Sequence, residues 1–188
     1  GPSARVMQIA IEKFTLIGAT TRLGLLSRPL RDRFGIPLQL EFYSPESLKD
    51  IIILNAKKLN VKIETIAAFE IAKRSRGTPR IAIRLLKRIL DFSIVQNSED
   101  INMDVVEKSL KQMRIDSEGL DEMDRKYLKC ISSDYNGGPV GIETLSAALL
   151  EQRDIIEDVI EPYLMQKGLV QRTSRGRILS EKGIKHIN

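Results

Sequence analysis

The hydrophobic period changes at Ser44, and that change constrains the fold more than any other feature of the sequence. Before it, apolar residues alternate or run together, as in strands; after it they recur every three or four residues, as in helices. Met7, Ile9 and Ile11 alternate with Gln8, Ala10 and Glu12, which predicts a one-sided strand. Phe14-Thr15-Leu16-Ile17-Gly18-Ala19 is nearly continuous, as in a buried parallel strand, and ends in polar Thr20-Thr21-Arg22. In open α/β sheets ligands collect beyond the carboxyl ends of strands. Pro29 is placed to open a short helix through Leu30–Gly35 that contains Arg33. Gln39-Leu40-Glu41-Phe42 alternates again and reads as a short strand.

Beyond Ser44 the pattern is helical. Ser44-Pro45-Glu46 is a cap, an N1 proline and a first-turn acid. A second helix covers about 64–75 and is closed by Gly77; Thr78-Pro79 starts a third; Asn102 caps a fourth that runs to about Met113. The pattern predicts four helices and no strands. Polar residues 115–120 read as a linker. Met123, Tyr127, Leu128 and Ile131 then predict a helix broken at Asn136-Gly137-Gly138-Pro139. Ile142, Leu145, Leu149 and Leu150 predict a second. Asp154 and Glu157 have the spacing of a capping box opening a third, with Ile155, Val159, Leu164 and Met165 as its face. Residues 169–179 read as strand, turn, strand, with Ser174-Arg175-Gly176 at the bend. Helix, turn, helix, helix and hairpin is the order of a winged helix.

Charge divides the chain the same way. Residues 1–114 carry 20 basic and 12 acidic side chains, 115–168 carry 5 and 12, and 169–188 carry 5 and 1. A basic tip thus follows an acidic block, which points to a localised anion-binding surface. One cysteine, Cys130, excludes an intrachain disulfide and a multi-cysteine zinc site; its apolar neighbours make it a buried core thiol. One histidine, His186, excludes a histidine metal cluster and reads as an exposed terminal residue without partners. Charges interrupt every apolar stretch before it reaches the ~18 residues of a membrane span, and no secretory signal is visible. The expectation is a soluble protein of a reducing compartment.

A phosphate-binding loop of the form G-x-x-x-x-G-K-[ST] is missing, since Gly-Lys never occurs, so the chain alone is expected not to hydrolyse nucleotide. Three residues nevertheless suit the far side of a nucleotide site. Thr20 is placed to orient a water on a γ-phosphate, Arg33 to neutralise phosphate charge, and Arg80 to hold an anion at a helix N-terminus. The alternatives stay open: Arg33 as a salt-bridge partner of Asp32 or Glu41, and Arg80 as cover for its own helix. Arg172, Arg175 and Arg177 lie within six residues on the predicted hairpin, where arginines grip phosphates. The presumed recognition helix is acidic, which favours sequence-neutral contact led by the wing. A protein-binding winged helix is the competing reading.

These motifs together resemble the RuvB family of bacterial Holliday-junction branch-migration motors. The resemblance is carried by residues 14–22, by Pro29-Leu30-Arg31-Asp32-Arg33-Phe34-Gly35 and by Arg76-Gly77-Thr78-Pro79-Arg80-Ile81-Ala82. It continues through Met123-Asp124-Arg125-Lys126, Gly137-Gly138-Pro139-Val140-Gly141, Glu161-Pro162-Tyr163-Leu164 and Gln171-Arg172-Thr173. It implies a mainly α chain: the end of an AAA+ α/β core over 1–43, an all-α lid over 44–114 and a winged-helix head over 117–188, cut after the Walker B strand. It implies an ATPase using ATP/ADP with Mg²⁺ in the full-length protein, with no nucleotide held tightly by this chain. It implies a cytoplasmic homohexamer on double-stranded DNA at Holliday junctions, with RuvA and, in the resolvasome, RuvC as partners. Residue by residue, Thr20 matches the sensor 1 threonine and Arg33 the arginine finger acting on the neighbouring subunit. Tyr43 matches a tyrosine near the adenine, Arg80 the sensor 2 arginine, and Arg153, Arg172 and Arg177 the DNA contacts. Met7 and Ile9 match a hairpin that docks on RuvA. The last residues, 180–188, depart from the family pattern and take no role. Two rival functions remain, a winged-helix DNA-binding regulator and an AAA+ subunit of clamp-loader or origin-binding type.

Overall fold

Ser44 caps the first long helix. In the computed structural model, which describes residues 11–20, 23–96, 98 and 100–187, its Oγ accepts the Ser47 N–H at 3.2 Å ahead of α2 (Pro45–Lys58). Pro45 occupies a position where a missing N–H loses no bond. α2 buries Leu48, Ile52 and Ala56 against α3 (Thr65–Lys73) and α4 (Pro79–Val95). Asn102 opens α5 (Met103–Gln112), its Oδ1 accepting the Val105 N–H at 3.0 Å. Ile71, Leu86, Ile89, Val106 and Leu110 complete one apolar core. The expectation of no strands here is corrected: β1 (Lys62–Ile63) pairs in parallel with β2 (Asp100–Ile101). Two residues per strand are too few to leave a periodic signal.

Asp121 opens the second module with a capping box that the sequence reading did not find. Its carboxylate accepts the N–H groups of Met123 and Asp124, and the Asp124 carboxylate accepts the Asp121 N–H. α6 (Glu122–Lys129) continues into a π turn at Cys130–Asp134. Cys130 is buried as expected; burial, then Asp134, pushes its thiol pKa up. α7 (Ile142–Leu149), α8 (Arg153–Ile155), a π turn at Ile156–Ile160 and α9 (Glu161–Gln166) follow. The hairpin is β3 (Val170–Thr173) and antiparallel β4 (Gly176–Leu179), with Arg172 opposite Arg177. Val140 bridges Arg177 from the other side. Helices plus hairpin give the winged-helix order, closed around Leu120, Tyr127, Ile131, Leu145 and Leu164.

Several expectations change in this module. Asp154 and Glu157 form no capping box: the cap position is Gln152, and Glu157 turns to Arg153 and Arg177. Ile155, Val159 and Met165 face outward, while Ile156, Ile160, Tyr163 and Leu164 are buried. The doublets Ile155-Ile156, Val159-Ile160 and Leu164-Met165 allow either phase, so periodicity alone had no basis for choosing. Leu150 does not extend the α7 face; it takes a left-handed φ of 57° and is 89% exposed. Residues 115–120 are not a loose linker. Asp116 Oδ1 accepts from Glu118 N and Leu120 N, and Leu120 is fully buried. His186 is not partnerless: its Nε2 lies 2.9 Å from Asp116 Oδ2. It stands on an unexpected helix, α10 (Glu181–Ile187).

The first 40 residues form a separate unit from Glu41–Asn188. Met7, Ile9 and most of the first predicted strand lie outside the described residues, as do Thr21 and Arg22. Residues 11–20 and 39–42 are irregular rather than stranded, with Phe14, Leu16, Ile17, Leu40 and Phe42 exposed. A strand satisfies its backbone only on a neighbouring strand, and neither segment joins either of the two sheets among the described residues. A helix, α1 (Arg28–Arg31), does form behind Ser27, but it stops before Arg33. No helix among the described residues is long and apolar enough to cross a membrane.

Candidate functional site

The turn between α3 and α4 gathers two of the predicted nucleotide residues. Arg76 and Gly77 both take left-handed backbone, φ 54° and 66°. A Cβ on Gly77 would come within 2.7 Å of Phe42 Cβ, so glycine is required for this approach. Tyr43 N–H donates to Gly77 C=O at 2.9 Å. Arg80 lies exposed in the first turn of α4. Tyr43 is half exposed, and the turn therefore carries one exposed candidate, Arg80, at its far end and holds a second by its backbone. Thr78 precedes Pro79 as expected but does not cap with its side chain; its Oγ1 donates to Arg76 C=O at 3.2 Å.

Thr20 and Arg33 belong to the first unit. Thr20 is exposed at the end of the irregular segment 11–20. Arg33 is exposed in the turn after α1, its N–H donating to Leu30 C=O at 3.2 Å. Asp32, weighed as its partner, lies 4.0 Å from Arg28 instead.

The three arginines matched to DNA contact all meet carboxylates. Glu161, fully buried at the start of α9, receives Arg172 Nε through one carboxylate oxygen and Arg177 Nε at 2.8 Å through the other. Tyr127 Oη donates to the same carboxylate at 2.9 Å. Arg177 Nη2 donates to Glu157 at 2.7 Å, and Arg153 Nε donates to Glu157 at 3.0 Å. Two arginines directly opposite across a hairpin repel; a shared buried carboxylate removes that penalty. Burial works against the Arg177 charge, but Glu161 and Glu157 outweigh it and raise its pKa. Arg153 and then Arg177 hold the Glu157 carboxyl below its ordinary range. Burial, then Glu161, raises the Tyr127 phenol. Arg177, with a side chain 11% exposed, is therefore a buried anchor rather than an open phosphate grip. It holds the wing to α9. Arg175 occupies the tip and is exposed, while Arg172 and Arg153 keep about half of their side chains in solvent.

A second polar cluster crosses from the α3–α4 turn to the winged helix. Arg76 Nε donates to Gly119 C=O at 2.9 Å, and its Nη2 donates to Asp121 at 3.1 Å and to Asp124. The guanidinium lies 4.9 Å over the Tyr163 ring, whose Oη donates to Glu118 C=O at 2.6 Å. Arg125 reaches back, donating to Leu120 C=O and, at 2.8 Å, to Arg114 C=O. Burial pushes the Asp124 carboxyl up to about 6, with the Arg76 charge and the Asp121 N–H holding it back. The sequence reading singled out none of Arg76, Asp124 or Glu161 as a functional residue. Each lies in a motif that carries the family resemblance, but no role is attached to it there.

Comparison with known proteins agrees along the chain. Three family models match: the Holliday junction DNA helicase RuvB P-loop domain over 1–40, the RuvB AAA lid domain over 43–116 and the RuvB C-terminal winged helix domain over 117–188. The RuvB subunit of the Holliday junction branch migration complex from Orientia tsutsugamushi strain Boryong is 59% identical over 188 residues, all of this chain and 58% of the relative. That from Paramagnetospirillum magneticum is 52% identical over 187 residues and 54% of its length. The Thermotoga maritima RuvB branch migration motor superposes with a TM-score of 0.87 at 55% identity, covering 94% of this chain and 59% of that one. The chain thus spans a little over half the length of these relatives. With its lid and winged helix built as described and its sequence matched from end to end, the chain belongs to the RuvB family.

Proposed function

We propose that this chain is part of an ATP-driven hexameric motor that moves Holliday junctions along duplex DNA together with RuvA, with RuvC joining the assembly. The observation that carries the reading is that relatives named as branch migration subunits match all of the chain at 52–59% identity. In this reading residues 1–43 end the ATPase domain, 44–114 form the lid and 117–188 the head. Met7 and Ile9, outside the described residues, take the RuvA contact, and the cytoplasm is the working compartment.

The nucleotide roles draw support from two directions. Tyr43 is bonded through its backbone to the turn from which Arg80 follows, a placement suited to an adenine edge and a phosphate. Structures of the Thermotoga protein carry single replacements of a threonine, of an arginine twelve residues later and of a proline forty-six residues beyond that. The same residue types stand at the same spacings here in Thr21, Arg33 and Pro79. Arg33 is the finger in this reading: an exposed guanidinium that meets charge developing on a phosphoryl group held by the neighbouring subunit. The sensor threonine is Thr20 or, by that spacing, the adjacent Thr21. ATP is used with Mg²⁺. Among the described residues no group of three or more acidic, histidine or cysteine side chains is arranged for a metal ion, and no step is assigned through one. Arg175 and Arg172 on the wing, with Arg153 from α8, carry the phosphate contacts, and Arg177 acts through the carboxylates that fix the hairpin.

In the full-length protein, Arg33→Ala leaves nucleotide binding nearly intact and lowers hydrolysis by about 10³–10⁵-fold. Mixed with wild-type subunits, it depresses activity by more than its own fraction, because the residue serves a neighbour. Unchanged hydrolysis overturns the assignment. The chain by itself shows no ATP turnover in this reading, and turnover by the pure chain overturns it.

A further inference from the structure

The turn that presents Arg80 is also the turn that holds the winged helix. The lid core and the winged-helix core are separate apolar clusters, and polar groups cross between them. Apolar contact is non-directional, whereas a guanidinium fork fixes an angle. Arg76 supplies that fork, bonding Gly119, Asp121 and the buried Asp124 at once. Its backbone and that of Gly77–Arg80 form one continuous turn, so the fork follows any movement of Arg80. Beyond the fork, contacts continue to the wing by two routes. Asp124 and Tyr127 lie on adjacent positions of one α6 face, and Tyr127 Oη donates to Glu161. Tyr163, under the Arg76 guanidinium, shares α9 with Glu161. Glu161 holds Arg172 and Arg177 of the hairpin.

We propose that Arg76 is a positioning residue that couples the nucleotide-sensing turn to the DNA grip of the wing, by setting the angle between lid and winged helix. This rests on the motor reading above. Arg125 crosses the same joint to Arg114, at the end of α5 and away from the Arg80 turn, and so provides a control.

The test uses the full-length protein. In Arg76→Met/Asp124→Asn the buried carboxylate is removed along with its partner, so no unpaired charge is left to unfold the joint. Spin labels on Lys87→Cys in α4 and Lys182→Cys in α10 report the angle between the modules. DNA affinity is measured with and without a non-hydrolysable ATP analogue. In wild type the label distance is narrow, and the analogue changes DNA affinity by about 5–150-fold, the usual range of coupling between sites. In the double variant the distances broaden, each ligand alone binds as in wild type, and the affinity ratio falls toward one. Arg125→Met keeps the ratio. A narrow distance, or an unchanged ratio in the folded variant, overturns the coupling role. Failure of the motor reading looks different: the wild type then binds neither the analogue nor DNA, and the coupling falls with it.

Discussion

Phe14, Leu16 and Ile17 are as apolar as Leu48, Ile52 and Leu86, yet the first three face solvent and the last three are buried. The difference lies in where backbone hydrogen bonds are made. A helix closes them within its own segment and then needs only another apolar face. A strand must find a second strand before its side chains have a surface to cover. Residues 44–187 supply both requirements from their own sequence and close two cores. The described residues of 11–40 carry the apolar pattern without the pairing, and the pattern alone leaves them open.

The largest effect that sharpens this contrast comes from the buried ion network. Glu161→Ala leaves Arg177 and Tyr127 buried without their carboxylate, and breaking a buried pair in this way costs about 3–5 kcal/mol. Denaturant unfolding of the chain measures it; a loss below 1 kcal/mol means that the network only decorates the surface. Next, Leu86→Ala empties a fully buried site in the lid and costs about 2–5 kcal/mol. Leu38→Ala in the open segment changes stability by no more than about 0.5 kcal/mol. Equal losses at the two positions would break the comparison.

A third effect depends on pH. Asp124 has a folded pKa of about 6 against an ordinary 3.8, so the folded state holds its proton more tightly. The ionised carboxylate therefore opposes folding increasingly as pH rises from about 4 to about 6. Removing the Arg76 charge raises this carboxyl further and extends the window toward neutrality. The melting-temperature deficit of Arg76→Met relative to wild type thus grows from pH 4 to pH 7, and adding Asp124→Asn flattens it. A deficit independent of pH would show that Arg76 acts through packing on Tyr163 alone. The smallest effect is at the wing tip. Arg175→Ala leaves stability within about 0.5 kcal/mol. In the full-length protein it lowers the log–log salt slope of DNA binding by about 0.9, equally on unrelated duplexes, because phosphates carry no base identity. A loss confined to one duplex indicates base readout.

Much of the layout could be read before any coordinates. Ser44 and Asn102 cap where their side chains predict, Cys130 is buried, and the hairpin turns at Ser174-Arg175. The candidate site was legible in part. Tyr43, matched separately from Arg80, bonds the turn that leads into Arg80, whereas the hairpin arginines divide into an exposed tip and a buried anchor. The bend places Arg175 at the tip, but nothing in the spacing shows that Arg177 is buried, because that is decided by Glu161 on another helix.

The sequence by itself determined most of the helical segments, where those capped by Ser44 and Asn102 begin, and a hairpin after three helices in the second module. Those properties follow from local sterics, caps and period, which act within a few residues. Tertiary structure alone decided which of two apolar phases around Ile156 faces the core and which charges go inside. It also decided that residues 115–120 are fixed rather than loose and that Arg76 ties one module to the other. The charge pairs that decide where Glu161, Arg172, Asp116 and His186 go join residues 11 and 70 positions apart in the chain, and periodicity holds no information over that range.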